Sequence, residues 1–316
     1  MLAIGIDISK ATFHAALDDA TVKTFTNSHE GLALFLDTLE KRGHIPANTT
    51  VGVESTGVYH LLLCVTLKKV GYTILLINPL ESHRFLAAQS LRRRKTDAID
   101  ARLIRTMVER GIGRPFIETD DVLTLKALIA DRDCLVRMRR MLLNQAEARM
   151  VREQALMHEL YDPSLSVQAA LEVEIRMLER HLARYEPETQ KLLRSIPGIG
   201  AISAAYLVAH IGDITRFSSP EKLVAYVGLD CRVHESGTSI KGKGFISKRG
   251  NGRLRTVLYN AAFMARQTNP FLKAYFEKKI REGKHYVSAL VAVERKLLHI
   301  IYAVWTRGTP FEERLI

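Results

Sequence analysis

Hydrophobic residues in the first third of the chain alternate between short apolar runs and stretches with helical spacing. Strands are predicted at residues 2–8, 12–17, 50–54 and 72–77, where the short apolar runs lie. Helices are predicted at residues 27–41, 58–70 and 96–110, the first with Asn27 and Glu30 as a capping box. Strands that alternate with helices indicate an α/β layer around a central sheet.

The pattern changes after residue 120, because no Gly or Pro occurs from there to Pro163. One long helix is predicted, followed by a second helix after Pro163. In this second helix, apolar residues step by four, three, four and three positions: Leu171, Ile175, Leu178, Leu182 and Tyr185. Such heptad-like spacing is typical of a coiled-coil arm that serves dimerisation, and equally of two ordinary packed helices.

The last third begins with a tight turn at residues 195–200, SIPGIG, followed by a helical run at 201–211. This pattern looks like a helix-hairpin-helix, in which Gly198 and Gly200 would let backbone N–H groups face a phosphate; an ordinary helix–helix turn is the alternative. Residues 228–252 are rich in Gly and Ser and predict a loop, and residues 254–305 predict helices. Three domains follow, at residues 1–118, 119–190 and 191–316.

The charge of the chain narrows the classes of partner. Its 316 residues carry a formal net charge of +12, with 47% hydrophobic residues. Such a surplus favours polyanions, namely DNA, RNA or an anionic membrane. The N-terminal run is not a signal peptide, and no apolar run reaches the roughly 18 residues of a membrane span, so no membrane partner is expected.

The number and spacing of the cysteines indicate the redox state of the cellular compartment. The three cysteines, Cys64, Cys134 and Cys231, are far apart in the sequence, so neither a disulfide framework nor a cysteine zinc site is predicted. This usage suits the reducing cytoplasm.

Four acidic residues stand at positions where a functional site is expected. Asp7 lies between isoleucines in the first predicted strand, where an unpaired acid is costly to bury, and Glu54 ends another strand. Asp97 and Asp100 are three residues apart on a helix and share a face. Converging carboxylates would select Mg²⁺ or Mn²⁺, while a solvated helix face and a helix cap are the plainer interpretations.

Basic residues occur in two runs that suit a phosphate backbone. One run precedes Asp97, and the other lies among glycines between residues 241 and 255, a stretch without any acid. The residues are Arg92, Arg93, Arg94, Lys95, Lys241, Lys243, Lys248, Arg249, Arg253 and Arg255. Ser236 precedes the second run, and pattern alone indicates a turn there rather than a nucleophile.

Taken together, these motifs resemble a known family over essentially the whole chain. They are similar to insertion-sequence transposases with an N-terminal DEDD, RuvC-like domain and a C-terminal serine-bearing domain, to which Piv-type invertases are related. The matching motifs, in order, are residues 4–7 (IGID), 54–59 (ESTGVY), 77–79 (INP), 95–101 (KTDAIDA), 196–200 (IPGIG), 228–229 (GL), 235–237 (ESG) and 246–251 (ISKRGN).

The resemblance implies a specific fold and chemistry. The fold would be α/β plus α: an RNase H-like domain, a helical coiled-coil arm and a mostly helical C-terminal domain. Asp7, Glu54, Asp97 and Asp100 would bind Mg²⁺ or Mn²⁺, and Ser236 would attack DNA to give a phosphoserine intermediate. The resemblance also implies a bridge RNA, a dimer or tetramer, and action on DNA at the bacterial nucleoid.

Three other functions stay open at this point. A simple RNase H-like nuclease or junction resolvase would need the four acids but not Ser236. A sugar kinase-like ATPase also opens with a strand bearing Asp, although Ile8 stands where its phosphate loop usually has Gly. A non-enzymatic nucleic-acid binder would leave Asp7 and Glu54 unexplained.

Overall fold

The computed structural model describes residues 1–55, 57–89, 96–162, 164–185, 187–230, 235–236, 240–241, 246–248 and 250–312. Within these residues the chain forms two compact units, Met1–Ile117 and Glu118–Ile316. The helices predicted as a separate arm, at residues 119–190, belong to the second unit. In the described part of the chain, no helix is long and apolar enough to cross a membrane.

The first unit is built on a mixed six-stranded sheet with the order β3-β2-β1-β4-β5-β6. β1 pairs with β2 in antiparallel and with β4 in parallel orientation, and β5 continues the parallel part. The strands are β1 (Leu2–Ile8), β2 (Thr12–Ala16), β3 (Val22–Thr26), β4 (Thr49–Glu54), β5 (Thr73–Ile77) and β6 (Arg114–Pro115). The helices are α1 (His29–Lys41), α2 (Leu61–Val70), α3 (Pro79–Gln89) and α4 (Asp97–Glu109).

Alternation along the central strands gives each face of this sheet its own character. Ile4 and Ile6 are fully buried on one face, as is Phe13 of β2. Phe13 stacks on Phe25 at 5.4 Å and meets Phe35 of α1 edge-on at 5.2 Å, which ties α1 to the sheet. The opposite face carries smaller and polar residues and is covered by α4.

Helix α4 approaches the sheet at backbone distance because two glycines leave room for it. A Cβ on Gly5 of β1 would lie 2.1 Å from the carbonyl oxygen of Ala101, and one on Gly52 of β4 would lie 2.2 Å from Val108. Arg105 of α4 also donates from Nε to the Ala3 carbonyl oxygen at 3.0 Å. These contacts hold α4 in place along β1 and β4.

The predicted strands and helices of this unit are confirmed, and three short elements were missed. β3, α3 and β6 have no counterpart in the prediction; β3 is a polar edge strand, and α3 begins directly at Pro79, a residue suited to the first position of a helix. The predicted capping residue of α1 was wrong. Ser28, not Asn27, accepts a hydrogen bond from the Gly31 N–H at 3.2 Å, because Asn27 is used elsewhere.

The second unit is mostly helical around one apolar core. Its helices are α5 (Asp120–Leu156), α6 (Leu165–Arg184), α7 (Glu188–Arg194), α8 (Ala201–Ile211), α9 (Pro220–Val227), α10 (Gly252–Thr268), α11 (Pro270–Arg281) and α12 (Tyr286–Arg307). α8 is buried almost all round, and α12 contributes a long apolar stripe. Val122, Leu125 and Ile129, in the first turns of α5, enter the same core.

Helices α5 and α6 form an antiparallel pair. Arg132 of α5 donates to Glu179, near the end of α6, at 2.6 Å. Arg149, further along α5, pairs with Asp162, just before the start of α6, at 2.6 Å. The two helices therefore run in opposite directions. Within the predicted heptad-like seam, Leu171, Ile175 and Leu182 are buried in this chain itself. Burial within the chain accounts for this spacing without a second copy.

Two glycine-rich segments of the second unit have packing roles. Gly198, at φ +93°, lies against α10, where an added Cβ would stand 2.5 Å from the Ala265 backbone nitrogen. An added Cβ on Gly250 would lie 2.1 Å from the Tyr226 carbonyl oxygen. The predicted loop between α9 and α10 also contains a short antiparallel ladder of β7 (Glu235–Ser236) and β8 (Ile240–Lys241).

Gly5→Ala tests the contact between α4 and β1. Its methyl group would overlap the backbone of α4, which cannot move without losing its packing, so we expect a loss of more than about 2 kcal/mol in unfolding free energy. Thermal and urea denaturation measure this loss. Gly200→Ala is the control, because a Cβ there meets nothing within 4 Å; equal stability of the two variants would contradict the packing argument.

Candidate active site

The parallel register of β1 and β4 brings the first two acids together. Ile6 pairs with Val53, so Asp7 and Glu54, one residue further along, are neighbours at the same end of the sheet. Both follow their glycine by two positions, and side chains two residues apart in a strand share a face. Asp7 and Glu54 therefore both lie on the face that α4 covers.

The second pair of acids lies in the first turn of α4. Thr96 caps the helix by accepting a hydrogen bond from the Ile99 N–H at 3.3 Å, which fixes where the helix begins. Asp97 is exposed, and Asp100 is half-buried. The helix dipole favours negative charge in a first turn, so this position is suited to two carboxylates.

The charges of these four residues act on one another. Burial, together with the carboxylates of Asp100, Glu54 and Asp97, raises the pKa of Asp7 from 3.8 to about 6, while His14 opposes the shift. Burial is the largest cause of this shift, and the three neighbouring carboxylates add to it. Glu54, Asp97 and Asp100 are therefore all near enough to Asp7 for their charges to act on it.

Two further side chains at this site were not predicted from the sequence. His14 of β2 is the antiparallel partner of Asp7, and its Nδ1 lies 3.7 Å from Asp97 Oδ2. Ser82 of α3, almost fully buried, donates to Glu54 Oε2 at 3.2 Å. The pairing of β1 with β2 could have revealed His14, whereas Ser82 required knowledge of α3.

Asn27 connects the chain segments that follow the two acid-bearing strands. Its Nδ2 donates to the Ser9 carbonyl oxygen and to the Tyr59 carbonyl oxygen, both at 3.1 Å. Ser9 comes just after Asp7 in the sequence, and Tyr59 shortly after Glu54. Asn27 therefore links the ends of β1 and β4 from the side, which explains why it does not cap α1.

The donor set of this site fits a hard divalent cation. All four acids offer carboxylate oxygens, the ligands that Mg²⁺ and Mn²⁺ prefer, and a dication would relieve the repulsion that raises the pKa of Asp7. Among the described residues, no three His, Cys, Asp or Glu side chains stand close enough together to share one metal ion. The arrangement is a convergence of acids at one sheet edge rather than a closed cage.

The residues predicted to bind nucleic acid differ from one another in their surroundings. Arg92, Arg93, Arg94, Lys95, Lys243 and Arg249 lie outside the described residues. The structure describes Ser236 and Lys241 only as backbone, in the ladder of β7 and β8. Lys248 and Gly200 are exposed, whereas packing against Ala265 explains Gly198.

Two of the predicted basic residues already have partners within the chain. Arg255 donates from Nη1 to the Val227 carbonyl oxygen at 3.0 Å and to the Gly250 carbonyl oxygen at 2.8 Å, so it anchors the end of the basic stretch. Arg253 donates to Asp133 Oδ2 at 2.7 Å and is half-exposed. Arg255 is therefore tied to the backbone, while part of Arg253 faces solvent.

Two transposase family models match this chain, one in each unit for most of its length. A family model described as "Transposase IS116/IS110/IS902 family" matches residues 190–277. A second model, a DEDD transposase of the IS110 type, matches residues 4–153, which include all four acids. Together the two models cover well over half of the chain.

Relatives match over nearly their full length. A pilin gene-inverting protein from Moraxella bovis is 28% identical, with 99% of this chain and 98% of the relative covered. The transposase for insertion sequence element IS1328 from Yersinia enterocolitica is 28% identical, with 98% of each covered. A solved structure of T. thermophilus RuvC in complex with a Holliday junction substrate aligns to 37% of this chain and 99% of its own, at 15% identity and a TM-score of 0.27.

The matches of both halves of the chain, with the carboxylates at the sheet edge, define the class of the protein: it is a DNA transposase, an enzyme that recombines DNA. Within that class, the chain belongs to the IS110/IS116 family of insertion-sequence transposases.

Asp7→Asn tests the electrostatic cost of the Asp7 charge, which comes from its burial and from the neighbouring acids. The pKa of Asp7 is raised from 3.8 to about 6, so its charge destabilises the fold above pH 6, and this effect disappears as the pH falls toward 4. Without divalent cations at pH 7.5, we expect the variant to be more stable by about 1 kcal/mol, allowing for solvent screening. The gain should shrink when denaturation is repeated near pH 4.

The control for this measurement is Asp37→Asn on α1, where an exposed acid pairs with Lys41 at 2.7 Å. Its stability should change by no more than a few tenths of a kcal/mol, as is usual for a surface pair. An Asp7→Asn variant that is less stable than the wild type at pH 7.5 would show that the charge of Asp7 does not destabilise the fold.

Asn27→Ala tests the link between the two strand ends. Without the amide, the ends of β1 and β4 are less firmly held, so we expect Mn²⁺ affinity to fall several-fold, measured as the Mn²⁺-dependent rise in melting temperature. Ser28→Ala is the matched control, since losing the cap of α1 costs about 1 kcal/mol without touching those ends. An equal Mn²⁺ response in both variants would contradict the positioning role of Asn27.

Proposed function

We propose that this transposase cuts and rejoins the DNA of its own mobile element at a metal-assisted site formed by Asp7, Glu54, Asp97 and Asp100, with Ser236 as the nucleophile. The observation that carries the proposal is the placement of the four acids at one end of the sheet, where burial and then the charges of the other three raise the pKa of Asp7. Carboxylates kept together at this cost are typical of functional sites.

Each acid has a role that follows from its position. Asp7 and Glu54 stand on neighbouring strands and form the rigid part of the site, and Ser82 orients Glu54 through its hydrogen bond. Asp97 and Asp100 complete the set from the helix, with Asp97 the more exposed. When bound, Mg²⁺ or Mn²⁺ would supply positive charge to a phosphate and lower the pKa of a hydroxyl.

Ser236 supplies the chemistry that allows rejoining. Its hydroxyl gives up a proton to solvent, and its Oγ forms a bond to phosphorus while the bond from phosphorus to one strand end breaks. That strand end takes up a proton and leaves as a hydroxyl, so one phosphoester replaces another. A hydroxyl of a new strand end then reverses the exchange, and no ATP is required.

The partners follow from charge and relationship. The two basic runs would contact phosphates of the element ends and target DNA, and the relative named for inverting a pilin gene supports site-specific recombination. A bridge RNA as guide, a dimer or tetramer as the active assembly, and a place beside the bacterial nucleoid in the cytoplasm are parts of this proposal.

Ser236→Ala and Asp7→Asn together test the mechanism. The gene with its native flanking DNA is placed in a bacterial host, and the circular junction of joined element ends is amplified. We expect the junction in the wild type and its loss, by at least a hundredfold, in both variants. Covalent protein–DNA adduct, measured by phenol partition of labelled DNA, should likewise require Ser236.

Ser239→Ala and Asp37→Asn are the matched controls, and both should keep the junction. A junction that persists in Ser236→Ala but is absent in Asp7→Asn would overturn the phosphoserine step. That outcome would instead indicate a water-based nuclease of the junction-resolvase kind.

A further inference from the structure

A groove of about 460 Å³, lined by both polar and apolar residues, runs between α5, α8 and α10 of the second unit. α5 contributes Arg132 and Arg137, and α8 contributes Ser203. α10 contributes Arg253, Thr256 and Asn260. Three guanidinium groups, two hydroxyls and an amide therefore face one depression.

The arginine from α10 is oriented by a hydrogen-bond network that begins at a buried tyrosine. Tyr206 of α8, almost fully buried, donates its hydroxyl to Asp133 Oδ1, and Arg253 donates to the other oxygen, Oδ2, at 2.7 Å. Burial and the hydrogen bond to Asp133 raise the pKa of Tyr206 to about 12, so the phenol keeps its proton and remains a donor. Asp133 thus holds Arg253 in place while half of the Arg253 side chain stays exposed.

The arginines from α5 differ in how firmly they are held. Arg132 makes two hydrogen bonds to Glu179 of α6, from Nε at 2.8 Å and from Nη2 at 2.6 Å, and its side chain is mostly buried. Arg137, one helical turn further on, is exposed. With Asp133 the one acid that lines the groove among the described residues, the lining keeps a positive surplus.

The start of α8 adds donors to the same place. Gly200 precedes the helix, no side chain caps it, and Ile202 and Ser203 of its first turn line the groove. First-turn N–H groups have no partner within a helix and favour an anion. The groove therefore combines fixed arginines, hydroxyls and a helix start, which is the donor set that phosphodiesters accept.

We propose that this groove binds the sugar–phosphate backbone of a nucleic-acid strand, and the proposal rests on the proposed function in that the strand belongs to the recombination complex. Arg137 and the outer face of Arg253 contact phosphate oxygens, while Asn260 and the hydroxyls of Ser203 and Thr256 hydrogen-bond along the strand. Asp133 is the positioning residue for Arg253. DNA and RNA share this backbone chemistry, and the experiment separates the two.

Arg137→Ala in the full-length chain tests the groove. Affinity for a labelled 30-nucleotide single-stranded DNA, and for an RNA of the same sequence, is measured by fluorescence anisotropy from 50 to 300 mM salt, with EDTA present. We expect roughly an eightfold loss at 0.1 M salt and a salt slope smaller by about 0.7–0.9, as for one lost phosphate contact. Arg137→Lys should retain most of the affinity because it keeps the charge.

Arg180→Ala, which removes an exposed arginine from α6 outside the groove, is the matched control. Loss with both probes supports backbone recognition in general, and loss with RNA alone supports the groove as an RNA site. Unchanged affinity and slope in Arg137→Ala with both probes would overturn the proposal. Should the wild type still form its Ser236 adduct in that case, the groove would be wrong and the proposed function would stand.

Discussion

The close approach of α4 to the sheet is the constraint on which the candidate active site depends. Gly5 and Gly52 remove the side chains that would keep the helix at an ordinary distance, and Arg105 fastens it to the backbone of β1. Helices usually pack on sheets through side chains, at roughly 10 Å. Here backbone lies against backbone, so the first turn of α4 reaches the ends of β1 and β4.

This packing opposes the electrostatics of the site. Asp7 is partly buried beside three other carboxylates, and burial and then their repulsion raise its pKa. Apolar packing elsewhere in the unit, including the stacked phenylalanines of β2, β3 and α1, offsets this cost. In the second unit, the half-buried Asp133 accepts hydrogen bonds from Tyr206 and Arg253 and orients that arginine. The first unit therefore holds four acids close to one another, and the second unit holds an arginine in a fixed orientation.

The sequence predicted the skeleton of the first unit but not the contacts that make it specific. Asp7 could be predicted as a site residue because it stands between isoleucines, and alternation along a strand places it on the opposite face from them. Gly5 was not, since its importance comes from Ala101, almost a hundred residues away. Asn27 was misassigned as a cap because its local pattern fits one, whereas its partners, Ser9 and Tyr59, are set by tertiary structure. Periodicity carries no information about such distant partners.

The separation of the acids along the chain also bears on synthesis. β1 and β4, with Asp7 and Glu54, leave the ribosome well before α4, and domains fold as units during translation. A chain that ends before residue 97 holds only half of the carboxylate set, and its sheet lacks the helix that covers that face. The set of four acids is therefore complete only when α4 has been synthesised, so a chain terminated before residue 97 has Asp7 and Glu54 without their two partners.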